Sequence, residues 1–414
     1  AAPLRVPVVT ELAERLHSIP GMERLLPALD GLDPAFLVGG AVRDLMLGRH
    51  SVDIDVTIEG DARTAARELA SRLGGEAVEH ERFGTATVTA GGLSVDLATA
   101  RRETYAEPGA LPDVEPAGLA EDLGRRDFTI NAMALDLNGD GVGNLEDPTG
   151  GRQDLDDGVI RVLHGESFID DPTRLLRALR YEARFGFRMD EQTERLAREA
   201  AAGTGFSTVS GPRVRDELLD LLGEEEAPEA VARLHELGLD RALHPALEAD
   251  PELVASTLLA CAETGADRRL AALSALTASN PGELGEWVED LHIGRQAADA
   301  VMRAAAKGPQ LASTLRNELA PSAVHAVLSC EPPEALALAL ARGAPGDPIL
   351  RYLAELRGVR LEITGDDLIA EGIPQSPELG RALAETLRRK LDGEVSGRDD
   401  ELKLALALAR GENA

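Results

Sequence analysis

Long apolar runs are missing from this sequence: its apolar stretches are short and broken by arginine or aspartate, which excludes a helical membrane span. The first residues lack a basic flank followed by an apolar core, so no signal peptide is expected and a cytoplasmic location is. Cysteine is scarce. Cys261 and Cys330 stand far apart with no second cysteine or histidine at ligand spacing, which argues against structural zinc, fits a reducing compartment and predicts two core residues. Lysine is limited to Lys307, Lys390 and Lys403, so nearly all cationic work falls to arginine, whose planar fork suits phosphates and base edges better than an ammonium does. Positive charge is in deficit overall. With a formal net charge of −30, the molecule as a whole cannot attract a nucleic acid, and any such binding must use local patches.

What is present divides the chain. At 414 residues it exceeds one ordinary core of roughly 100 to 200 residues, so several packed units are expected. Short β-branched or apolar runs bounded by Gly, Asp or Asn occur at Phe36 to Val38, Val52 to Ile58, Thr85 to Thr89, Leu93 to Leu97 and Ala132 to Leu137. A helical pattern at Ala62 to Leu73 interrupts them, so residues 34–157 read as a mixed α/β domain with a small sheet, after a helical lead-in over 1–33. From Asp171 onward the pattern is helical: Leu175, Leu176, Leu179, then Leu218, Leu221, Leu222, then Leu311, Leu315, Leu319 recur at helical spacing. Breaks at Gly223 to Pro228, Ser279 to Pro281 and Gly343 to Pro348 are plausible joints, and the helical part is divided into 158–222, 223–300 and 301–414. The fold class expected is α+β. Tyr105 to Glu121, rich in Pro, Gly and Glu and without periodicity, is expected to be a mobile loop inserted in the α/β domain.

The chemistry concentrates near the start of that domain. Gly39 and Gly40 close a strand and Arg43 follows three residues later; glycines there let backbone N–H groups approach a triphosphate, and the following helix N-terminus adds favourable partial charge. By themselves they would mark only a tight turn. The next strand, Ser51-Val-Asp-Ile-Asp-Val-Thr57, sends Asp53 and Asp55 to one face and Val52, Ile54 and Val56 to the core. Two like charges on one face repel unless divalent cations neutralise them, and Mg²⁺ favours a few carboxylates together with phosphates and water. Asp96, in Leu93-Ser-Val-Asp-Leu97, would complete a two-metal site, or serve as a general base, for attack by a terminal hydroxyl with pyrophosphate leaving.

These residues carry a resemblance. The order GG-x-x-RD, a spacer, then D-x-D resembles the nucleotidyltransferase superfamily that includes DNA polymerase beta. Glu121-Asp-Leu-Gly-Arg-Arg-Asp-Phe-Thr-Ile-Asn-Ala-Met133, then Asp147-Pro-Thr-Gly-Gly-Arg-Gln-Asp-Leu155, then Asp170-Asp-Pro-Thr-Arg-Leu-Leu-Arg-Ala-Leu-Arg180 resemble the class II tRNA nucleotidyltransferases and bacterial poly(A) polymerases. The terminal Ile363-Thr-Gly-Asp-Asp-Leu368 is similar to that family's tail, so nearly the whole chain is covered.

The resemblance implies a catalytic head over 34–157, a base-selecting neck over 158–222, a body over 223–300 and a tRNA-binding tail over 301–414. It implies two Mg²⁺ ions held by Asp53 and Asp55, with Asp96 as a third catalytic carboxylate, and nucleotide contacts from Gly39, Gly40, Arg43 and Arg126. Asp127 is a candidate ribose acceptor, Arg125 a structural residue, and Arg177 and Arg180 continue a basic stripe for phosphate or base contact. Asp171 and Arg174 are implied as the base-reading pair. An arginine donor satisfies N3 of cytosine or N1 of adenine while a carboxylate accepts from the adjoining amine, and uracil and guanine fail on both counts. Asp171 also precedes Pro172, so a helix-capping role is open to it. Asp147, Gly150 and Gly151 fit a hinge or a simple turn, and Glu217 a helix-orienting role.

The implied activity is addition of C, C and A to the tRNA 3′ end from CTP and ATP; A-only or CC-only addition, poly(A) synthesis and a non-catalytic RNA-binding relative are the alternatives. Partners implied are the tRNA acceptor arm, ATP and CTP, with no membrane and no protein partner. No histidine is followed by Asp, which argues against an added phosphohydrolase activity.

Overall fold

The computed structural model describes residues 9–49, 54–80, 84–203 and 205–411. The chain forms two compact units, Ala1–Glu226 with Glu236–Leu243, and Ala227–His235 with His244–Ala414. No helix among the described residues is long and apolar enough to cross a membrane.

The first unit is built on a mixed sheet whose strands are β1 Ala35–Val38, β2 Ile54–Ile58, β3 Glu76–His80, β4 Thr85–Ala90, β5 Leu93–Thr99, β8 Ala134–Asp136 and β9 Leu145–Glu146, in the order β3-β4-β5-β2-β1-β8-β9. Only β2 and β5 pair in parallel. The crossover between them contains the helix Ala62–Leu73, which the periodicity places exactly in its observed span. Asp61 caps it by accepting from the Arg63 N–H, Gly74 ends it at φ 66°, and Ala66 and Leu69 are fully buried. Period-two alternation holds on β5, where Leu93, Val95 and Leu97 are buried and Ser94 and Asp96 exposed.

Three expectations need correction. The β3 strand, Glu76–His80, is absent from the sequence reading because its residues are mostly exposed and two of them are glutamates, so no buried face shows in the pattern; β4 supplies its pairing partner. Tyr105 to Glu121 is not an unstructured insertion throughout: β7 Asp113–Pro116 pairs antiparallel with β6 Arg101–Thr104, and the helix Leu119–Gly124 begins before the segment ends. Proline hid this hairpin, since Pro116 is tolerated at the end of a two-stranded ribbon whose other edge is open. Cys330 is exposed, one turn past the helix Pro321–Leu328, whereas Cys261 is buried in Pro251–Thr264 as expected.

Beyond the sheet, β10 Val159–Ile160 pairs in parallel with β11 Arg188–Met189. The helices Thr173–Phe185 and Gly211–Gly223 pack together and bury Leu175, Leu176 and Leu179 of one and Leu218, Leu221 and Leu222 of the other. The second unit is helical. Its long helix Arg295–Leu315 lies close against Pro333–Ala341, where a Cβ on Gly308 would come within 2.8 Å of Leu338. Leu311 and Leu315 are core residues there, but the helix stops at Leu315 and Leu319 packs from the loop before Pro321.

Candidate functional site

The turn after β1 is shaped by Gly39, at φ 66° and ψ −129°, a conformation that a side chain resists. A Cβ on Gly39 would also lie 2.7 Å from Arg126 Nη1, so the glycine lets that guanidinium rest on the backbone. The helix Gly40–Met46 starts from this turn and carries Arg43, which is 4% exposed. Arg43 donates to Asn131 Oδ1 at 2.7 Å and Asp44 Oδ1 at 2.9 Å, and its guanidinium lies over the rings of Tyr181 and Phe185 at 5.1 and 4.7 Å.

Asp55 is exposed on β2 and sits directly opposite Asp96 on the parallel neighbour β5. The parallel register places both carboxylates on one face, and Thr87 on β4 donates its hydroxyl to Asp96 Oδ1 at 2.5 Å. Asp53 lies outside the described residues. The buried Ile54 and Val56 agree with the alternation expected of this strand, though Thr57 is buried too.

The Arg-Arg-Asp block splits three ways. Asp122, 1% exposed, binds both arginines: Arg125 Nη2 at 2.7 Å and Arg126 Nη2 at 2.9 Å. Burial by itself raises the Asp122 carboxyl, but the charges of Arg126 and Arg125 outweigh it and hold the pKa below the usual carboxylate value. Arg125 also pairs with Glu103 at 2.8 Å and reaches the Arg101 carbonyl, the structural role expected of it. Arg126 Nε is buried without a partner among the described residues, a donor left over beside Gly39. Asp127 Oδ1 accepts from the Phe128 backbone N–H and from Asn131 Nδ2, and Oδ2 accepts from Arg177 Nε at 2.8 Å. Burial raises this carboxyl as well, and Arg177 and Asn131 together bring it below its ordinary value. A buried relay therefore runs Arg177, Asp127, Asn131, Arg43.

The helix Thr173–Phe185 presents Arg174, Arg177 and Arg180 at intervals of three, as the sequence indicates, but the stripe is not bare. Arg177 binds Glu217 Oε1 at 2.9 Å, Arg180 lies 3.5 Å from Glu217 Oε2 and pairs with Asp220, and Tyr181 lies beneath both guanidinium groups. Burial lowers the Arg177 pKa, yet Asp127 and Glu217 drive it well above the free value, so it stays charged. Glu217, on Gly211–Gly223, thus ties two helices together.

Asp171 precedes the helix, whose cap residue is Pro172, and its Oδ1 accepts from the Thr173 N–H at 3.0 Å. Asp171 holds the helix start, as the capping reading expects, and lines the same cavity as Arg174. Asp147 accepts from the Gly151 and Arg152 N–H groups, and a Cβ on Gly151 would clash with the Thr129 carbonyl at 2.1 Å. This block is a capped, tightly packed turn.

One cavity of about 1090 Å³ collects these groups. Gly39, Gly40, Arg43, Asp55, Asp96, Arg126, Asp127, Asp171, Arg174, Arg177 and Arg180 all line it, so every site residue expected from the sequence that lies among the described residues meets there. Sequence reasoning missed Asp122, Asn131 and Tyr181. Asn131 was detectable as a lone amide in an apolar run; Tyr181 was not, because one aromatic beside arginines has no spacing signature.

The poly A polymerase head domain family matches residues 35–161, and the family described as "Probable RNA and SrmB- binding site of polymerase A" matches residues 186–250. The A-adding tRNA nucleotidyltransferase of Geobacter sulfurreducens is 37% identical over 91% of this chain and 45% of its own length. The CC-adding tRNA nucleotidyltransferase of Deinococcus radiodurans is 33% identical over 91% of this chain and 90% of its own. The chain spans less than half the length of the A-adding relatives of Geobacter, Halalkalibacterium and Aquifex that it matches. A solved CCA-adding enzyme in an apo form superposes with a TM-score of 0.85 at 34% identity, covering 97% of this chain and 99% of that one. The glycine turn, the paired strand carboxylates and the arginine helix therefore sit in a chain that belongs to the family of tRNA nucleotidyltransferases that includes the CC-adding, A-adding and CCA-adding enzymes.

Proposed function

We propose that this chain transfers C, C and A in turn from CTP and ATP to the 3′ end of tRNA, releasing pyrophosphate, with each base chosen by side chains and no template. The observation that carries the reading is one cavity lined by two chemically different sets of groups. Asp55 and Asp96 are read as the reacting groups, Asp171 with Arg174 as the base-reading groups, and Arg126 with the Gly39 turn as a phosphate seat. The volume lies just above the roughly 300 to 1000 Å³ usual for ligand sites, so it accommodates a nucleoside triphosphate and the end of an acceptor strand. Similar structures hold CTP, ATP or, in the Thermotoga maritima enzyme, a tRNA, which supports the same substrates here.

Asp55 and Asp96 are hard oxygen donors placed side by side, a donor set that suits Mg²⁺, and Asp53 is expected to join them. When bound, two such ions lower the pKa of the attacking 3′ hydroxyl and neutralise the leaving pyrophosphate. The chain's own groups do the rest. Arg126 holds phosphate oxygens over the Gly39 turn, Arg174 donates to the ring nitrogen of the incoming base, and Asp171 accepts from its amine. The neck assigned to 158–222 contains this reader, and acceptor binding is assigned to the helical segment 301–414.

Addition of A alone is a second reading, favoured by the higher identity to an A-adding relative, 37%, than to a CC-adding one, 33%, over the same share of the chain. The test supplies Mg²⁺ and single nucleotides with tRNA transcripts that lack CCA, end in C or end in CC. Incorporation of both C and A supports the full reaction, and A on the CC end alone supports the second reading. Long A tails on any RNA would sink both, as would unchanged incorporation by Asp55→Ala.

A further inference from the structure

The base-reading pair is held by groups that the reading above does not use. Arg174 Nη1 donates to Ser167 Oγ at 2.7 Å and Nη2 to the Arg125 carbonyl at 3.0 Å. Ser167 is fully buried on the short helix Ser167–Asp170, and Arg174 is 6% exposed. Two of five guanidinium N–H groups are thus consumed on one side, which fixes the plane of the fork and leaves the rest of its donors for a ligand.

Asp171 is held just as unevenly. Its Oδ1 accepts two hydrogen bonds, from the Thr173 N–H at 3.0 Å and the Thr173 hydroxyl at 2.6 Å, and forms an ion pair with Arg213 Nη2 at 2.9 Å. Oδ2 takes none among the described residues. Arg213 comes from the helix Gly211–Gly223 and is anchored at its other end to the Gly109 carbonyl at 2.8 Å. An ion pair made only to stabilise the fold gains from engaging both carboxylate oxygens; this one engages one oxygen and leaves the other as a free acceptor. The two clamps act on neighbouring reader groups.

We propose that Ser167 and Arg213 are positioning residues for base selection, Ser167 setting the plane of the Arg174 fork and Arg213 setting the Asp171 carboxylate, so that the pair meets a base edge already aligned. This rests on the base-reading role of Asp171 and Arg174. Prealignment matters because the discrimination is geometric: a reader free to rotate could turn a donor or acceptor to suit guanine or uracil, whereas a fixed one leaves those bases with unpaired groups.

The experiment compares wild type, Ser167→Ala, Ser167→Thr, Arg213→Met and Arg213→Lys. It measures kcat/KM for ATP, GTP, CTP and UTP on tRNA transcripts, nucleotide binding by calorimetry without tRNA, and thermal melting. Ser167→Ala and Arg213→Met are expected to lower the preference for ATP over GTP and for CTP over UTP by about tenfold each, the scale of one hydrogen bond to a charged group. Ser167→Thr and Arg213→Lys restore part of the preference, which a loss of stability alone would not produce. Folded variants with wild-type preference overturn the proposal, and if Ser167→Ala fails to fold, Arg213→Met, at a partly exposed position, decides it. A wild-type chain that binds all four nucleotides alike overturns the base-selection reading itself and the positioning roles with it, a result distinct from variants that keep a preference the wild type has.

Discussion

At Gly39 the backbone and a neighbouring guanidinium impose the same requirement. An alanine there would bear about 1 to 3 kcal/mol of strain from the backbone conformation and push Arg126 off the turn. Gly39→Ala is expected to cut kcat/KM for nucleotides about a hundredfold while shifting the melting temperature only modestly, as read by paired activity and melting assays. Asp122 works the other way, through stability. Removing the charge leaves Arg126 without its carboxylate partner and Arg125 with Glu103 alone, and Asp122→Asn is expected to cost about 3 kcal/mol at neutral pH. Its folded pKa is depressed, so the contribution is complete above the unfolded value of about 3.9 and is lost as pH falls through the lower folded value. The melting difference between wild type and variant should therefore be flat from neutral pH down to about 5 and narrow at more acid pH; a difference that widens on acidification would contradict the pairing.

Among the elements, the helix Thr173–Phe185 divides its labour by face. Arginines at intervals of three face the cavity, and Leu175, Leu176 and Leu179 are fully buried. Leu179→Ala is expected to lower stability by about 3 kcal/mol in denaturant titrations and to leave nucleotide preference unchanged in the folded fraction. Loss of preference with stability intact would mean the apolar face tunes the site directly. The leucine and arginine spacings made this helix legible in the sequence. The partners of its arginines were not, because Asp127 and Glu217 lie 50 and 40 residues away from Arg177 and ion pairing has no local period. The β6 and β7 hairpin was missed for a related reason: each strand is short and charged, β7 also begins after Pro112 and ends on Pro116, and only their pairing, with Arg102 facing Glu115, makes them strands.

For the whole molecule the governing quantity is the net charge of −30. Excess negative charge repels itself, so added salt is expected to raise the melting temperature while weakening tRNA binding, since binding depends on local arginine–phosphate contacts. Between 50 and 200 mM salt the affinity should fall at least about tenfold even if only two phosphates are neutralised. Affinity insensitive to salt would place recognition on apolar or base contacts instead.

The sequence by itself determined the α+β class and the order of glycine turn, strand carboxylates and arginine helix, because each depends on periods of two or 3.6 or on short spacings. Only the tertiary structure decided that Asp55 stands opposite Asp96, that Arg43 is reached from Arg177 through Asp127 and Asn131, and that Asp171 is held by one oxygen alone. Strand register and buried hydrogen bonds join residues tens of positions apart, and such pairings exist only once the chain has folded.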